Sequence, residues 1–201
     1  MEYYWGVPNT SIDFCEEKYI INPYIAEYYN VISSLSFILV GLPFIRSKMS
    51  NIAWVTILIG IGSMLLHGTL QQYGQWVDEM AMISLNFFAF KHFYSDFSIL
   101  YLFIIIAMYY KNCDHYISFL GIFSIMHYFV WKEITERKYK INRLYYHAYY
   151  IFFIIGFMCW LSDQFLCNYI KPYQLHACWH VCSALSILFC MLGFNIHQHV
   201  Q

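Results

Sequence analysis

His176 and His180 stand four residues apart in Leu175-His176-Ala177-Cys178-Trp179-His180, at the head of an apolar run. On a helix this spacing turns both imidazoles to one face. Two neutral imidazoles on one face make half of a zinc site. Ser63-Met64-Leu65-Leu66-His67 supplies a third histidine inside another apolar run, and Asp78-Glu79 follows a short way on. A catalytic zinc takes three protein ligands, keeps one position for water and brings that water's pKa to about 7. Such a site also needs a group that takes and returns a proton, and Asp78 is the candidate. Ser63 lies one helical turn before His67 on the same face, placed to hold the water or to donate to a developing oxyanion. Three histidines and a carboxylate inside apolar sequence point to a hydrolytic zinc site built in a membrane.

The elements that must position these residues are apolar helices. Of 201 residues, 60% are hydrophobic, 22% aromatic and 11% charged, against about 25% charged in a soluble domain. Seven apolar runs cover residues 28–45, 52–70, 80–93, 97–110, 116–131, 144–161 and 175–194. A membrane span needs about 20 residues, so the third and fourth runs are short, and they share a tight polar break at 91–96. The expected fold is all-α: a multipass seven-helix membrane bundle. It forms one domain over residues 1–201, an acidic segment (1–27) followed by the bundle (28–195). No basic stretch and short apolar core precede the first run, so it serves as its own insertion signal. A net charge of −1 offers no surface for nucleic acid. The many Tyr and Phe are expected to face lipid and the membrane interfaces.

Lysine and arginine placement orients the bundle. With seven spans, Arg46, Lys48, Lys91, Lys132, Arg137, Lys138, Lys140 and Arg143 share one side, and Lys18, Lys111 and Lys171 the other. The richer side is cytosolic, so the amino terminus is lumenal and the carboxy terminus cytosolic. This topology brings His67, Asp78, His176 and His180 to one lumenal depth, although no step in assigning the spans required it. Taken singly, each has a plainer reading: a lone span histidine is usually a packing or hydrogen-bonding residue, Asp78 an interfacial residue and Ser63 a small packing residue. His92, His115, His127, His147, His197 and His199 lack the pattern and are read as interfacial or structural.

The acidic segment holds Glu2, Asp13, Glu16, Glu17 and Glu27. Closely spaced carboxylates on a loop suit a hard cation such as calcium, although EF-hand spacing is missing; a solvated acidic tail is the plainer alternative. Of seven cysteines, Cys159, Cys178, Cys182 and Cys190 fall inside spans and behave as small apolar residues. Cys15, Cys113 and Cys167 share the lumenal side, where a disulfide persists; any pair of them, or none, is compatible with the spacing.

Several stretches resemble the alkaline ceramidases, seven-span membrane hydrolases related to adiponectin-receptor-like proteins. They are Trp5-Gly6, Ser11 through Glu17, Tyr24 through Asn30, Gly62-Ser63 through His67, Asp78-Glu79, Asp163 to Cys167, and His176 through His180. The resemblance implies hydrolysis of a ceramide-type membrane lipid to a sphingoid base and a fatty acid, in the endoplasmic reticulum or Golgi. It implies zinc on His67, His176 and His180, with Asp78 and Ser63 assisting. It favours a Cys15–Cys167 disulfide. It also implies calcium held by Asp13, Glu16, Glu27 and the Phe14 carbonyl. Lys18 departs from the pattern, standing where the family has asparagine: an ammonium ligates no cation and repels one. Either calcium keeps fewer protein ligands, or Lys18 pairs with Glu16 or Glu27 and takes over part of the ion's structural role. Two rival functions remain: a receptor or lipid-binding protein with a structural zinc, closed by a fourth protein ligand, and a hydrolase of another lipid.

Overall fold

The structure, a computed structural model, describes residues 4–112, 115–138 and 142–197, with side chains through Phe194. Cys113, Lys140, His199 and Glu2 lie outside the described residues, as does the side chain of His197. Among the described residues eight α-helices follow in order: α1 Tyr28–Gly41, α2 Ser50–Thr69, α3 Gln72–Phe93, α4 Leu100–Tyr110, α5 Tyr116–Glu136, α6 Arg143–Phe165, the single turn α7 Cys167–Ile170, and α8 Leu175–His197. Among the described residues there is no strand beyond an isolated bridge between Asn22 and Ile25. Among the described residues three helices are long and apolar enough to cross a membrane: Ser50–Thr69, Arg143–Phe165 and Leu175–Phe194.

The apolar runs mark the helices but misplace some ends. α3 begins at Gln72 rather than residue 80, so Asp78 sits in its second turn instead of opening it. Gln72, Gln75, Asp78 and Glu79 break the apolar pattern there, yet Gln75 and Glu79 find partners within the bundle. Gln75 donates to Glu79 one turn on at 2.7 Å, and Tyr109 of α4 donates to Glu79 at 2.7 Å. α5 likewise runs past residue 131 to Glu136, its last turn carrying a Glu133–Arg137 pair at 3.0 Å. The polar break after α3 is a turn, with the Lys91 ammonium on the carbonyls of Ser95 and Phe97.

The pattern of burial is that of a protein in lipid. Leu39, Leu58, Ile104, Ile125 and Ile154 face outward, while Ser34, Ser63, His67, Gln75, Glu79 and Asp163 are buried. Hydrocarbon costs apolar side chains nothing, whereas polar groups must find partners inside the protein. α2 packs on α1 and α3, α6 lies along α8, α1 meets α8, and α3 meets α5; α4 touches α3 and α5 only lightly. The close crossing of α2 and α3 depends on two glycines. A Cβ on Gly62 would lie 2.7 Å from the Asp78 nitrogen, and one on Gly74 2.7 Å from the Leu66 nitrogen.

The segment before α1 folds across the end of the bundle. Asn9 N–H donates to the Leu70 carbonyl (3.1 Å), Ser11 N–H to the Gln75 side chain (2.8 Å), Ala26 N–H to Gly68 (3.0 Å) and Glu27 N–H to His67 (2.9 Å). Leu70, ending α2, adopts the left-handed conformation (φ 54°), rare for so bulky a residue, which turns the chain directly into α3. Cys15 and Cys167 form the disulfide, with Cα atoms 5.3 Å apart, and Lys171 pairs with Glu17 at 2.7 Å. Cys159, Cys178, Cys182 and Cys190 are free. The bond spans 152 residues of sequence, a loop for which chain entropy gives an upper figure of about 5 kcal/mol. Cys15→Ser is therefore expected to lower the melting temperature relative to wild type in non-reducing detergent; equal melting with and without reductant in the wild type would show that the bond contributes nothing.

Candidate active site and metal centre

His67 lies in the last turn of α2, His176 and His180 in the first two turns of α8, and all three are buried. Their ligand atoms lie within 4.8 Å of one another. Two of the rings are each held at Nδ1. Glu27 Oε2 takes His67 Nδ1 at 2.5 Å. Ser33 Oγ meets His180 Nδ1 at 2.8 Å. Because the Ser33 hydroxyl donates its proton to the Asn30 carbonyl (3.0 Å), its oxygen accepts from Nδ1–H. In both rings the hydrogen bond fixes the tautomer with the Nε2 lone pair free, as in zinc-binding histidines. His176 Nδ1 is buried without a hydrogen-bond partner, 3.9 Å from Asp163 Oδ2. Two rings with free, oriented lone pairs and a third with an orphaned buried nitrogen fit a three-histidine metal site.

Ser63 Oγ stands 3.4 Å from His180 Nε2 and 2.8 Å from Ser34 Oγ. Asp78 presents a buried Oδ1 with no hydrogen-bond partner. Ser63, Asp78, His176 and His180 all line one cavity of about 360 Å³. The rest of its wall is largely apolar, with Met82, Leu85, Phe119, Phe123, Phe153 and Ile187. Four polar groups thus meet a largely apolar space, the arrangement expected for an orientation-specific ligand site.

The acidic segment is divided between two tasks. Glu16 turns both carboxylate oxygens to the start of α1, accepting from Tyr29 N–H (2.7 Å) and Asn30 N–H (2.9 Å). A carboxylate suits these unpaired donors at a helix N-terminus, although burial pushes the Glu16 pKa above its ordinary value despite those bonds. Asp13, Phe14 and Glu27 instead gather around the Lys18 ammonium. It lies 2.7 Å from Asp13 Oδ1, 2.9 Å from Glu27 Oε1 and 2.5 Å from the Phe14 carbonyl. Burial opposes the Lys18 charge, but Glu27 and Asp13 outweigh it and raise its pKa. Burial likewise opposes ionised Glu27, and the His67 and Lys18 contacts overcome it and lower its pKa. Calcium binds six to eight oxygens; here three oxygens surround an ammonium and Glu16 is committed elsewhere, so the set does not fit the expected calcium.

The sequence left three groups without a role at the histidines. Ser33 was an apolar-run serine with no motif, Asp163 belonged to a recognised stretch but had no assigned task, and Glu27 was read only as a calcium ligand. Phe14 was assigned only its carbonyl; its ring also packs on His67 and His176, centroids 4.7 and 4.1 Å away. The serine has a legible signal, since Ser33, Ser34 and Ser36 are clustered hydroxyls in a largely apolar stretch.

An all-helical membrane protein with a buried three-histidine centre beside an apolar cavity is the class that fold and site define. Residues 6–201 match the family model described as Ceramidase, and the chain belongs to that family. It is similar to an alkaline ceramidase of Arabidopsis thaliana, 27% identical over 93% of this chain and 86% of that protein. Alkaline ceramidase 3 of Mus musculus is 25% identical over 90% and 81%. An alkaline ceramidase of Saccharomyces cerevisiae is 38% identical over 39% of this chain and 28% of its own length.

Proposed function

We propose that the chain is a zinc-dependent amidase that hydrolyses ceramide within the membrane to a sphingoid base and a free fatty acid. The observation that carries this reading is the histidine centre, two of its rings held at Nδ1, with His176 and His180 lining an apolar cavity alongside Asp78 and Ser63. Family membership supplies the substrate class. His67, His176 and His180 would hold the zinc, which when bound polarises a carbonyl and acidifies a water. Asp78 takes the proton of the attacking water and returns it to the amide nitrogen as the C–N bond breaks. Ser63 donates to the carbonyl oxygen while negative charge develops there. Glu27 and Ser33 keep the two rings oriented, and the apolar wall receives hydrocarbon and excludes bulk water.

We read residues 1–201 as one domain with seven spans, amino terminus lumenal and carboxy terminus cytosolic, in the endoplasmic reticulum or Golgi. The basic residues crowd the end away from the histidines, and a disulfide at the histidine end suits an oxidising lumen. The structural-zinc alternative is disfavoured because, among the described residues, the metal-capable group has three members and no fourth.

The test is purified, zinc-loaded protein with ceramide in detergent. Sphingoid base and fatty acid are expected in equal amounts, with about one zinc per chain. Turnover of a different lipid amide alone would replace the substrate. Bound zinc with no turnover of any lipid amide would support the structural reading instead.

A further inference from the structure

We propose that the Lys18 ammonium is the resident cation of an oxygen cage at the end of the bundle, positions the histidine centre, and takes the place of a divalent ion there. A lysine ammonium has three N–H donors. Three oxygens meet it: Asp13 Oδ1, Glu27 Oε1 and the Phe14 carbonyl, at 2.7, 2.9 and 2.5 Å. The ammonium has as many oxygen neighbours as N–H donors, the Phe14 carbonyl by hydrogen bond and the two carboxylates by ion pairing.

The cage is tied to the histidines through two of its members. Glu27 is fully buried and divides its oxygens: Oε1 faces Lys18, and Oε2 takes His67 Nδ1 and the Asn30 side chain (3.1 Å). With Lys18 seated on Oε1, the Glu27 side chain is anchored with Oε2 aimed at His67. Phe14 offers its carbonyl to Lys18 while its ring packs on His67 and His176. One ammonium therefore touches two groups that contact these rings, Glu27 and Phe14. The backbone is built around it. Tyr19, next in sequence, takes the left-handed conformation (φ 62°), uncommon for a residue with a side chain, and its N–H donates to the Ala26 carbonyl at 2.8 Å. That reversal brings Lys18 back beside Glu27.

This inference uses the metal reading only in making His67 a ligand, so its primary readout is melting rather than turnover. Zinc-loaded wild type, Lys18→Asn, Lys18→Arg and the double variant Lys18→Asn/Glu27→Gln are melted in calcium-depleted buffer and in millimolar calcium. Wild type is expected to melt at the same temperature in both. Lys18→Asn should melt about 10 °C lower without calcium, the scale for losing one partner of a buried ion pair. It should also bind zinc about 10–100-fold more weakly. Calcium should restore both in this variant but not in the double variant. Lys18→Arg keeps a cation and should stay insensitive to calcium with near-wild-type zinc affinity. A wild type that calcium stabilises would overturn the proposal without any variant having to fold. So would a Lys18→Asn that melts and binds zinc like wild type, or one that calcium leaves unrestored. Wild type that ignores calcium but fails to cleave ceramide would sink the amidase reading and leave this one standing.

Discussion

His67→Ala and His180→Ala are each expected to reduce ceramide hydrolysis to background and to lower bound zinc far below the one equivalent expected of wild type. The two rings come from different helices, α2 and α8, and each is locked by an acceptor at Nδ1, Glu27 for one and Ser33 for the other. Replacing an orienting partner of a metal ligand costs roughly 10–100-fold in affinity or activity; removing the ligand itself should exceed that. Both positions are buried, so the substitutions also open small cavities, and metal content must be read on protein shown to be folded by its melting transition. Full zinc occupancy with His67, His176 and His180 all replaced would mean the metal sits elsewhere.

Asp78→Asn should give the second large effect with a different signature: zinc retained and turnover reduced at least about a hundredfold, the scale of a lost general acid–base group. Asparagine keeps the shape and the hydrogen-bonding edge but takes up no proton. Asp78 suits this test because its buried Oδ1 has no protein partner, and because it lines the same cavity as Ser63, His176 and His180. Its backbone is held against Gly62, so the exchange leaves the α2–α3 crossing intact. Rates near wild type in Asp78→Asn would show that another group handles the proton. Loss of zinc in that variant would instead make Asp78 a ligand.

What the sequence by itself determined was set by local periodicity and residue type. Apolar runs announced the helices because hydrocarbon demands internally bonded backbone under apolar side chains, and His176 and His180 announced a shared face because a helix repeats every 3.6 residues. The pairing of Cys15 with Cys167 came only with the family resemblance; spacing alone left Cys113 open. Tertiary structure decided the rest. The start of α3 was illegible because Gln75 and Glu79 become tolerable in an apolar helix only when they bond each other and Tyr109 of another helix bonds Glu79. Glu27 and Ser33 gained their tasks across 40 and 147 residues of chain, a separation no local pattern encodes. The acidic segment offered four groups to one calcium, but folding sent Glu16 to the start of α1 and placed the Lys18 ammonium among Asp13, Phe14 and Glu27. Sequence lists the charges available; only their placement in space settles which oxygen each donor reaches, because electrostatic and hydrogen-bond energies depend on distances that packing alone imposes.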